Sequence, residues 1–189
     1  MPPTVRLDAT DAAAVLARGG VVAYPTEGVW GLGCDPFDRV AVQRVLDLKQ
    51  RPVDKGVILI AGDPAQLDGI VDWTRLDRAR GDAVFASWPG PNTWVVPARG
   101  DVPGWITGIH ASVAVRVSAH PDVVALCAAF AGPLVSTSAN LTGQPSAARF
   151  EQLDPHLLAQ VDGVLAGETG GRAQPSTIRD AVTGAVLRT

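Results

Sequence analysis

The sequence predicts an α/β fold with a twisted, open, mixed sheet and flanking helices. Three observations carry that prediction. Helical and strand-like segments alternate along the 189 residues. The tail, "STIRDAVTGAVLRT", contains two short runs joined by Thr183 and Gly184, which is the pattern of a β-hairpin. Residues 100–112 form a long turn-rich stretch, and together with the hairpin this argues against a purely parallel sheet.

The first half of the chain predicts two helices and two strands in alternation. An Asp or Thr N-cap begins the first helix and Gly19-Gly20 ends it, while Asp38 caps the second. The strands are short apolar runs, as expected for buried strands. In order, the predicted elements are a helix over 8–18, a strand over 21–24, a helix over 39–50 and a strand over 57–61.

The second half is less regular but follows the same alternation. His120-Pro121 precedes a helix, and Gly132-Pro133 introduces the strand after it. In order, the predictions are helical stretches over 65–73 and 74–88, strands over 93–98 and 112–117, a helix over 122–130 and a strand over 133–137.

Composition indicates a globular protein. Hydrophobic residues make up 47% and charged residues 19% of the chain, and the length fits a single domain over 1–189. No apolar run approaches the length of a membrane span, and the start of the chain shows no secretory signal. Cys34 and Cys127 suggest neither a disulfide framework nor a zinc site, so we expect a reducing, cytoplasmic setting. The net charge of −3 argues against non-specific coating of nucleic acid, though not against a local basic cleft.

Common catalytic signatures are absent from the sequence. It has no phosphate loop of the G-x-x-x-x-G-K-[ST] type and no dinucleotide fingerprint after the first strand. It also has no G-x-S-x-G elbow, and the three histidines are scattered. His120 is expected at a helix start rather than in catalysis, and no spacing predicts a metal site.

Four polar stretches next to predicted strands could carry chemistry instead. Each also has a structural interpretation: N-capping turns for the hydroxyl-rich stretches, and a solvated rim for the cations Lys49, Arg51 and Lys55. The functional alternative is a set of hydroxyls, backbone amides and cations around a phosphate or carboxylate, because ligands bind at strand ends in α/β sheets. The stretches are "PTEGVWGLG", "KQRPVDKG", "STSAN" and "QPSTIR".

Together these stretches resemble the YrdC/Sua5 family. The motifs "YPTEGVWGLGCDP", "LKQRPVDKGVILIA", "WPGPNTWVVPA", "VAVRVSAHP", "PLVSTSANLTGQP" and "GGRAQPSTIRDAVTGAVLR" occur in the family's order and spacing, from about Gly19 to the end of the chain. The length is similar to that of the short bacterial form. The resemblance implies a YrdC-like twisted sheet around a concave basic cavity, and such a cavity would explain the three cations beside a strand.

The resemblance also implies an activity. Family members join L-threonine, bicarbonate and ATP into threonylcarbamoyl-AMP and release pyrophosphate, for the N6-threonylcarbamoyladenosine (t6A) modification of tRNA. ATP would be a substrate and Mg²⁺ would share the phosphate charge. TsaD, TsaB and TsaE proteins would be the partners that complete the transfer. A related carbamoyl-transfer enzyme is less favoured, because such enzymes are large multidomain chains.

The family's functional positions map onto residues of this sequence. The K-x-R pair, Lys49 and Arg51, would be catalytic through alignment and electrostatics, because no obligatory nucleophile is visible. A fork such as that of Arg116 suits a carboxylate. The implied ATP contacts are Arg51, Lys55, Ser138, Asn140, Ser146 and Arg188, and the implied threonine contacts are Thr26, Arg116, Ser136 and Ser176.

One departure and one competing interpretation remain. Longer family members commonly carry a histidine near the threonine where this chain has Ile60, a choice shared by short forms. The alternative function is a module that binds double-stranded RNA or tRNA without catalysis, on the same basic concave surface.

Overall fold

The computed structural model describes residues 6–172 and 176–188. Ten strands form one mixed sheet in the order β1-β8-β2-β3-β7-β4-β6-β5-β9-β10. The α/β prediction with a twisted mixed sheet is confirmed. In chain order the strands are β1 (Arg6–Leu7), β2 (Val22–Pro25), β3 (Trp30–Gly33), β4 (Ile58–Ala61), β5 (Asn92–Pro97), β6 (Ser112–Val117), β7 (Leu134–Ser138), β8 (Gly163–Leu165), β9 (Thr177–Asp180) and β10 (Val186–Arg188).

Six α-helices flank the described part of the sheet. Asp8 and Asp38 cap the first two as predicted, each accepting backbone N–H bonds with its carboxylate. His120 lies at the N-cap of α5, also as predicted. The helices are α1 (Ala9–Ala17), α2 (Arg39–Leu48), α3 (Arg78–Ala86), α4 (Gly104–Thr107), α5 (Pro121–Phe130) and α6 (Pro155–Leu158).

Helices cover both faces of the sheet, so the core lies in separate apolar layers. On one face α1 and α5 pack together over Tyr24 and Leu134. On the other face α2, α3 and α4 cover Leu59 and Val115. Cys127 is fully buried in the first layer, as expected for a small apolar residue.

Strand β7 lies between β3 and β4 and pairs with each over a different part of its length. Its first residues pair antiparallel with β4, through Leu134↔Ile60 and Ser136↔Ile58. Its last residues pair antiparallel with β3, through Ser138↔Gly31. The hydroxyl-bearing residues Ser136, Thr137 and Ser138 therefore lie in the middle of the sheet, between β3 and β4.

The predicted C-terminal hairpin is confirmed, since β9 and β10 pair antiparallel. Three other predictions were wrong. The helix over 65–73 is a 3₁₀ turn at Pro64–Leu67, capped by Asp63, and the helix predicted from 74 begins only at Arg78, because Asp77 caps it. The region 100–112, predicted as loop, contains α4, whose Ile106 carbonyl accepts a bond from the Val57 N–H.

Strands β1, β3 and β8 were not predicted. β1 and β8 are two and three residues long, too short for a periodic signal. The glycines of β3 look like a loop, yet Gly33 is required by packing. A Cβ on Gly33 would lie 2.6 Å from a ring carbon of Tyr24 and 2.6 Å from the Val135 carbonyl oxygen.

Candidate functional site

A concave cavity of about 270 Å³ opens where β7, β6 and the loop after β2 meet the end of α2. Polar stretches that lie far apart in the sequence line it together. Nine of the eleven predicted site residues belong to its lining: Thr26, Lys49, Arg51, Arg116, Ser136, Ser138, Ser146, Ser176 and Arg188.

Two predicted ATP contacts lie outside this lining. Lys55 is exposed in a 3₁₀ turn, and its carbonyl oxygen accepts a bond from the Arg51 guanidinium at 3.4 Å. Asn140 lies behind Ser138 and lines a neighbouring cavity of about 390 Å³, which shares Ser146 with the first. Gln174 and Pro175 of the "QPSTIR" stretch fall outside the described residues.

Lys49 joins the end of α2 to the turn after β7. Its Nζ donates to the Ser138 carbonyl at 2.8 Å, to the Asn140 Oδ1 at 2.7 Å and to the Asn140 carbonyl. Burial disfavours the charged ammonium and the nearby Arg51 repels it, so the pKa of Lys49 falls to about 8. Lys49 is therefore a cation that can lose its proton close to neutral pH.

The "STSAN" turn uses its side chains to hold this arrangement. The Ser138 hydroxyl donates to Asn140 Oδ1 at 2.5 Å, which is the same oxygen that Lys49 contacts. The Thr142 hydroxyl donates to the Lys49 carbonyl. Asn140 therefore supports the cavity wall from behind, while Ser138 lies in the wall itself.

Arg51 and Arg188 form the cationic side of the cavity. Arg51 donates from Nε to the Gly56 carbonyl at 3.1 Å, which fixes the guanidinium. Its pKa is lowered by burial and by the charge of Arg188. Over residues 6–172 and 176–188 no carboxylate pairs with Arg51 or Arg188. Two unneutralised guanidinium groups side by side are a site for a polyanion.

Arg116 on β6 is held differently, because it faces a carboxylate. Its Nη1 lies 3.5 Å from Glu27 Oε2, and both side chains are largely buried, 9% and 14% exposed. Burial alone would raise the pKa of Glu27. Arg116 and hydrogen bonds from Ser118 and the Ala119 N–H outweigh that effect and lower it. The pair is therefore charged at neutral pH.

Hydroxyl groups complete the wall near Arg116. The buried Thr26 donates its hydroxyl to the Val29 carbonyl at 2.7 Å, which closes the loop after β2. Ser176 shares a 2.9 Å hydrogen bond with the Thr93 hydroxyl, which ties the start of β9 to β5. Ile60, on the strand with Ile58, is fully buried and packs in the apolar layer instead of lining the cavity.

Sequence reasoning missed four polar residues of the lining: Glu27, Thr93, Thr137 and Arg172. Glu27 and Arg172 lie inside recognised motifs, "PTE" and "GGR", so motif membership was the available signal. Two backbone bonds join these motifs: Gly170 N–H to the Thr26 carbonyl at 3.0 Å and Arg172 N–H to the Glu27 carbonyl at 2.9 Å. No charge pairing in the described residues involves Arg172.

The cavity thus has two electrostatically different parts. One part carries Lys49, Arg51 and Arg188 without a carboxylate partner in the described chain, while Arg172 lines the cavity from the segment whose backbone is bonded to Glu27. The other carries the Arg116–Glu27 pair among hydroxyl groups. No group of three His, Cys, Asp or Glu residues that could hold a metal occurs in the described ranges, and none of the described helices could span a membrane.

Comparisons with known proteins find relatives over most of the chain. The model of the Sua5/YciO/YrdC family, described as "Telomere recombination", matches residues 14–189. A threonylcarbamoyl-AMP synthase of Stenotrophomonas maltophilia is 61% identical over 177 residues, covering 94% of this chain and 95% of the relative.

Two solved structures are similar in fold. P. abyssi Sua5 complexed with L-threonine superposes with a TM-score of 0.80 at 31% identity, over 91% of this chain and 50% of that one. E. coli YciO superposes with a TM-score of 0.82 at 26% identity, over 95% of this chain and 87% of that one. The chain therefore spans about half the length of P. abyssi Sua5.

Proposed function

The chain belongs to the Sua5/YciO/YrdC family, and from that premise we propose that it is a threonylcarbamoyl-AMP synthase. It joins L-threonine, bicarbonate and ATP into threonylcarbamoyl-AMP and releases pyrophosphate. The observation that carries the proposal is the convergence of Thr26, Arg51, Arg116, Ser138 and Ser176 on a single cavity. We take residues 1–189 as one catalytic domain.

The cationic part of the cavity suits the triphosphate. ATP brings about four negative charges, and more charge develops on the leaving pyrophosphate during attack on the α-phosphorus. Lys49, Arg51, Arg188 and Arg172 would stabilise that charge. Ser146 would donate a hydrogen bond, and Ser138 would do so once its hydroxyl turns from Asn140 Oδ1 to the phosphate. Lys55 and Asn140, which lie outside the lining, would contribute from its rim and from behind it.

The Arg116 part suits the amino acid. Arg116 would bind the threonine carboxylate, and the hydroxyls of Thr26, Ser136 and Ser176 would contact its polar groups. Threonine's amine would attack the carbon of bicarbonate, with a hydroxide and an amine proton leaving as water. An oxygen of the resulting carbamate would then attack the α-phosphorus of ATP and displace pyrophosphate. The described residues would act by binding and aligning these reactants.

Mg²⁺ would enter with ATP. The one carboxylate that the described residues bring to the lining, Glu27, is already engaged by Ser118, Ala119 and Arg116, so this donor set does not fit a dedicated protein metal site. When bound to the phosphates, the ion would neutralise charge between them. Lys49 and Arg51 would act beside it.

The product would serve tRNA t6A modification in the cytoplasm, with TsaD-, TsaB- and TsaE-type proteins receiving it. Because the adenylate is unstable, we expect the protein that accepts it to lie close by. The alternative is an RNA-binding module that uses the same cations as a phosphate track; the hydroxyl-lined Arg116 part has no purpose in that alternative.

The test is a reconstituted reaction with purified protein, L-threonine, labelled bicarbonate and Mg-ATP. We expect pyrophosphate release and label incorporation into an adenylate only when all three substrates are present. Omitting each in turn is the internal control. Threonine-independent turnover, or tight RNA binding without any turnover, would contradict the proposal.

A further inference from the structure

Among the described residues, Glu27 is the one carboxylate in the cavity lining, and its two oxygens have different partners. Oε1 accepts bonds from the Ser118 hydroxyl at 2.8 Å and the Ala119 N–H at 3.0 Å. Oε2 is buried without a hydrogen-bond partner and faces Arg116 Nη1 at 3.5 Å. Oε1 is therefore the anchor, and Oε2 presents a negative charge to the arginine.

Several further contacts brace this carboxylate. The Ser118 hydroxyl oxygen accepts the His120 N–H at 3.1 Å, and the His120 ring bonds the Glu168 carbonyl at 2.9 Å. The backbone bond from the Arg172 N–H to the Glu27 carbonyl ties the same loop to the "GGR" segment. Because hydrogen bonds hold both the side chain and the backbone of Glu27, its carboxylate has little freedom to turn away from Arg116.

The consequence is a division of the cavity by charge. The positive charge of Arg116 is neutralised by Glu27, whereas Arg51, Arg188 and Lys49 have no carboxylate partner in the described residues. An unpaired Arg116 would be one more guanidinium for phosphate, since arginine binds phosphate and carboxylate with the same fork. A phosphate approaching the pair would meet the Glu27 charge and be repelled. An α-amino acid would not be repelled, because it carries a positive ammonium group as well as a negative carboxylate.

We infer that Glu27 is a positioning and selectivity residue: it holds the Arg116 guanidinium and makes this part of the cavity neutral, so that it accepts a zwitterionic amino acid and rejects phosphates and acids without an amine. This inference rests on the proposed function. In the wild type Glu27 acts through Arg116, because its free oxygen is closed to solvent and faces that guanidinium; removing the guanidinium opens Glu27 to the ligand. Specificity of this kind comes from a repulsive element against the wrong ligand.

The experiment measures equilibrium binding of three probes to wild type and to Glu27→Gln. The probes are L-threonine, the dihydroxy acid in which a hydroxyl replaces the threonine amine, and pyrophosphate as a competitor. Glutamine keeps the size and the accepting oxygen of the anchor but removes the charge. The matched control is Asp101→Asn, an exposed carboxylate 3.6 Å from Arg99.

For Glu27→Gln we expect the preference for threonine over the dihydroxy acid to fall roughly tenfold, with pyrophosphate now displacing threonine. The Asp101→Asn control should keep the wild-type preference. Equal weakening of both acids would mean that Glu27 is merely structural, and an unchanged preference would remove it from the site. If wild type binds no threonine at all, the proposed function itself fails, which is a different result.

A reciprocal variant covers the case in which Glu27→Gln does not fold, as judged by circular dichroism. Arg116→Gln leaves the Glu27 charge alone in the site. It should weaken the dihydroxy acid more than threonine, because the ammonium still gains from Glu27, so the preference should rise. A preference that falls or stays constant in Arg116→Gln would overturn the inference.

Discussion

The side chains of Lys49 and Asn140 meet at 2.7 Å, Nζ to Oδ1, although 91 residues separate them in sequence. Two carbonyl oxygens of the same turn complete the set of acceptors around the ammonium. The contact brings a helix end and a strand end into one wall. It also places a partly buried cation where the proposed triphosphate would bind.

ATP affinity should decrease as the pH rises through about 8. Burial and the neighbouring Arg51 lower the pKa of Lys49 to about 8, so above that pH the empty site loses a positive charge. The arginine of a Lys49→Arg variant keeps its charge throughout this range. The ATP affinity of that variant, although different from that of the wild type, should therefore not change with pH. Titration calorimetry in buffers from about pH 7 to 9.5 checks this. Parallel curves for the two proteins would assign the pH effect to another group.

Replacing Arg51 by alanine should weaken ATP binding by about 1–3 kcal/mol with the fold intact, because a fixed charge-assisted contact is lost. Lys55→Ala should have a smaller effect, since Lys55 is exposed and outside the cavity lining. The measurement is ATP affinity for both variants alongside circular dichroism. If Lys55→Ala lost as much ATP affinity as Arg51→Ala, Lys55 would have to contact the nucleotide directly.

Arg116→Ala should raise the threonine requirement much more than the ATP requirement. The variant removes the proposed carboxylate ligand and also leaves Glu27 buried without its cation. Steady-state kinetics with each substrate varied in turn check the prediction. Comparable increases in the two KM values would mean that Arg116 is not specific to the amino acid.

Arg172→Ala should weaken ATP and pyrophosphate binding but leave AMP binding nearly unchanged, because the proposed contact of Arg172 is with the outer phosphates. Its backbone is tied to Glu27 and its side chain lines the cavity. Arg18→Ala, on the exposed end of α1, is the matched control. Should AMP and ATP weaken together in Arg172→Ala, the residue would instead belong to the nucleoside end.

Gly33→Ala should destabilise the protein by about 1–3 kcal/mol, because the added methyl meets the Tyr24 ring and the Val135 carbonyl. Gly100→Ala is the control, since a Cβ there meets nothing within 4 Å. Urea unfolding of both variants gives the comparison. Similar midpoints for the two would show that the Tyr24 layer relaxes without cost.

The amino-acid order by itself determined the local structure with strong signals. Caps at Asp8 and Asp38 and apolar periodicity specified the helices α1 and α2, and short apolar runs specified β4, β6 and β7. These signals depend on neighbours a few residues apart, which is why they can be seen without the fold. The order of the motifs also indicated the family resemblance, and the match to the family model confirms it.

Tertiary structure alone decided the rest, because the deciding contacts lie between residues distant in sequence. The glycine-rich β3 is a strand only because Tyr24 and β7 pack against it. Lys55 and Arg51 look equivalent in sequence, yet only Arg51 lines the cavity. In sequence Glu27 looks like an ordinary loop carboxylate. The fold buries it beside Arg116, 89 positions further along the chain, and so makes it the partner of a buried cation.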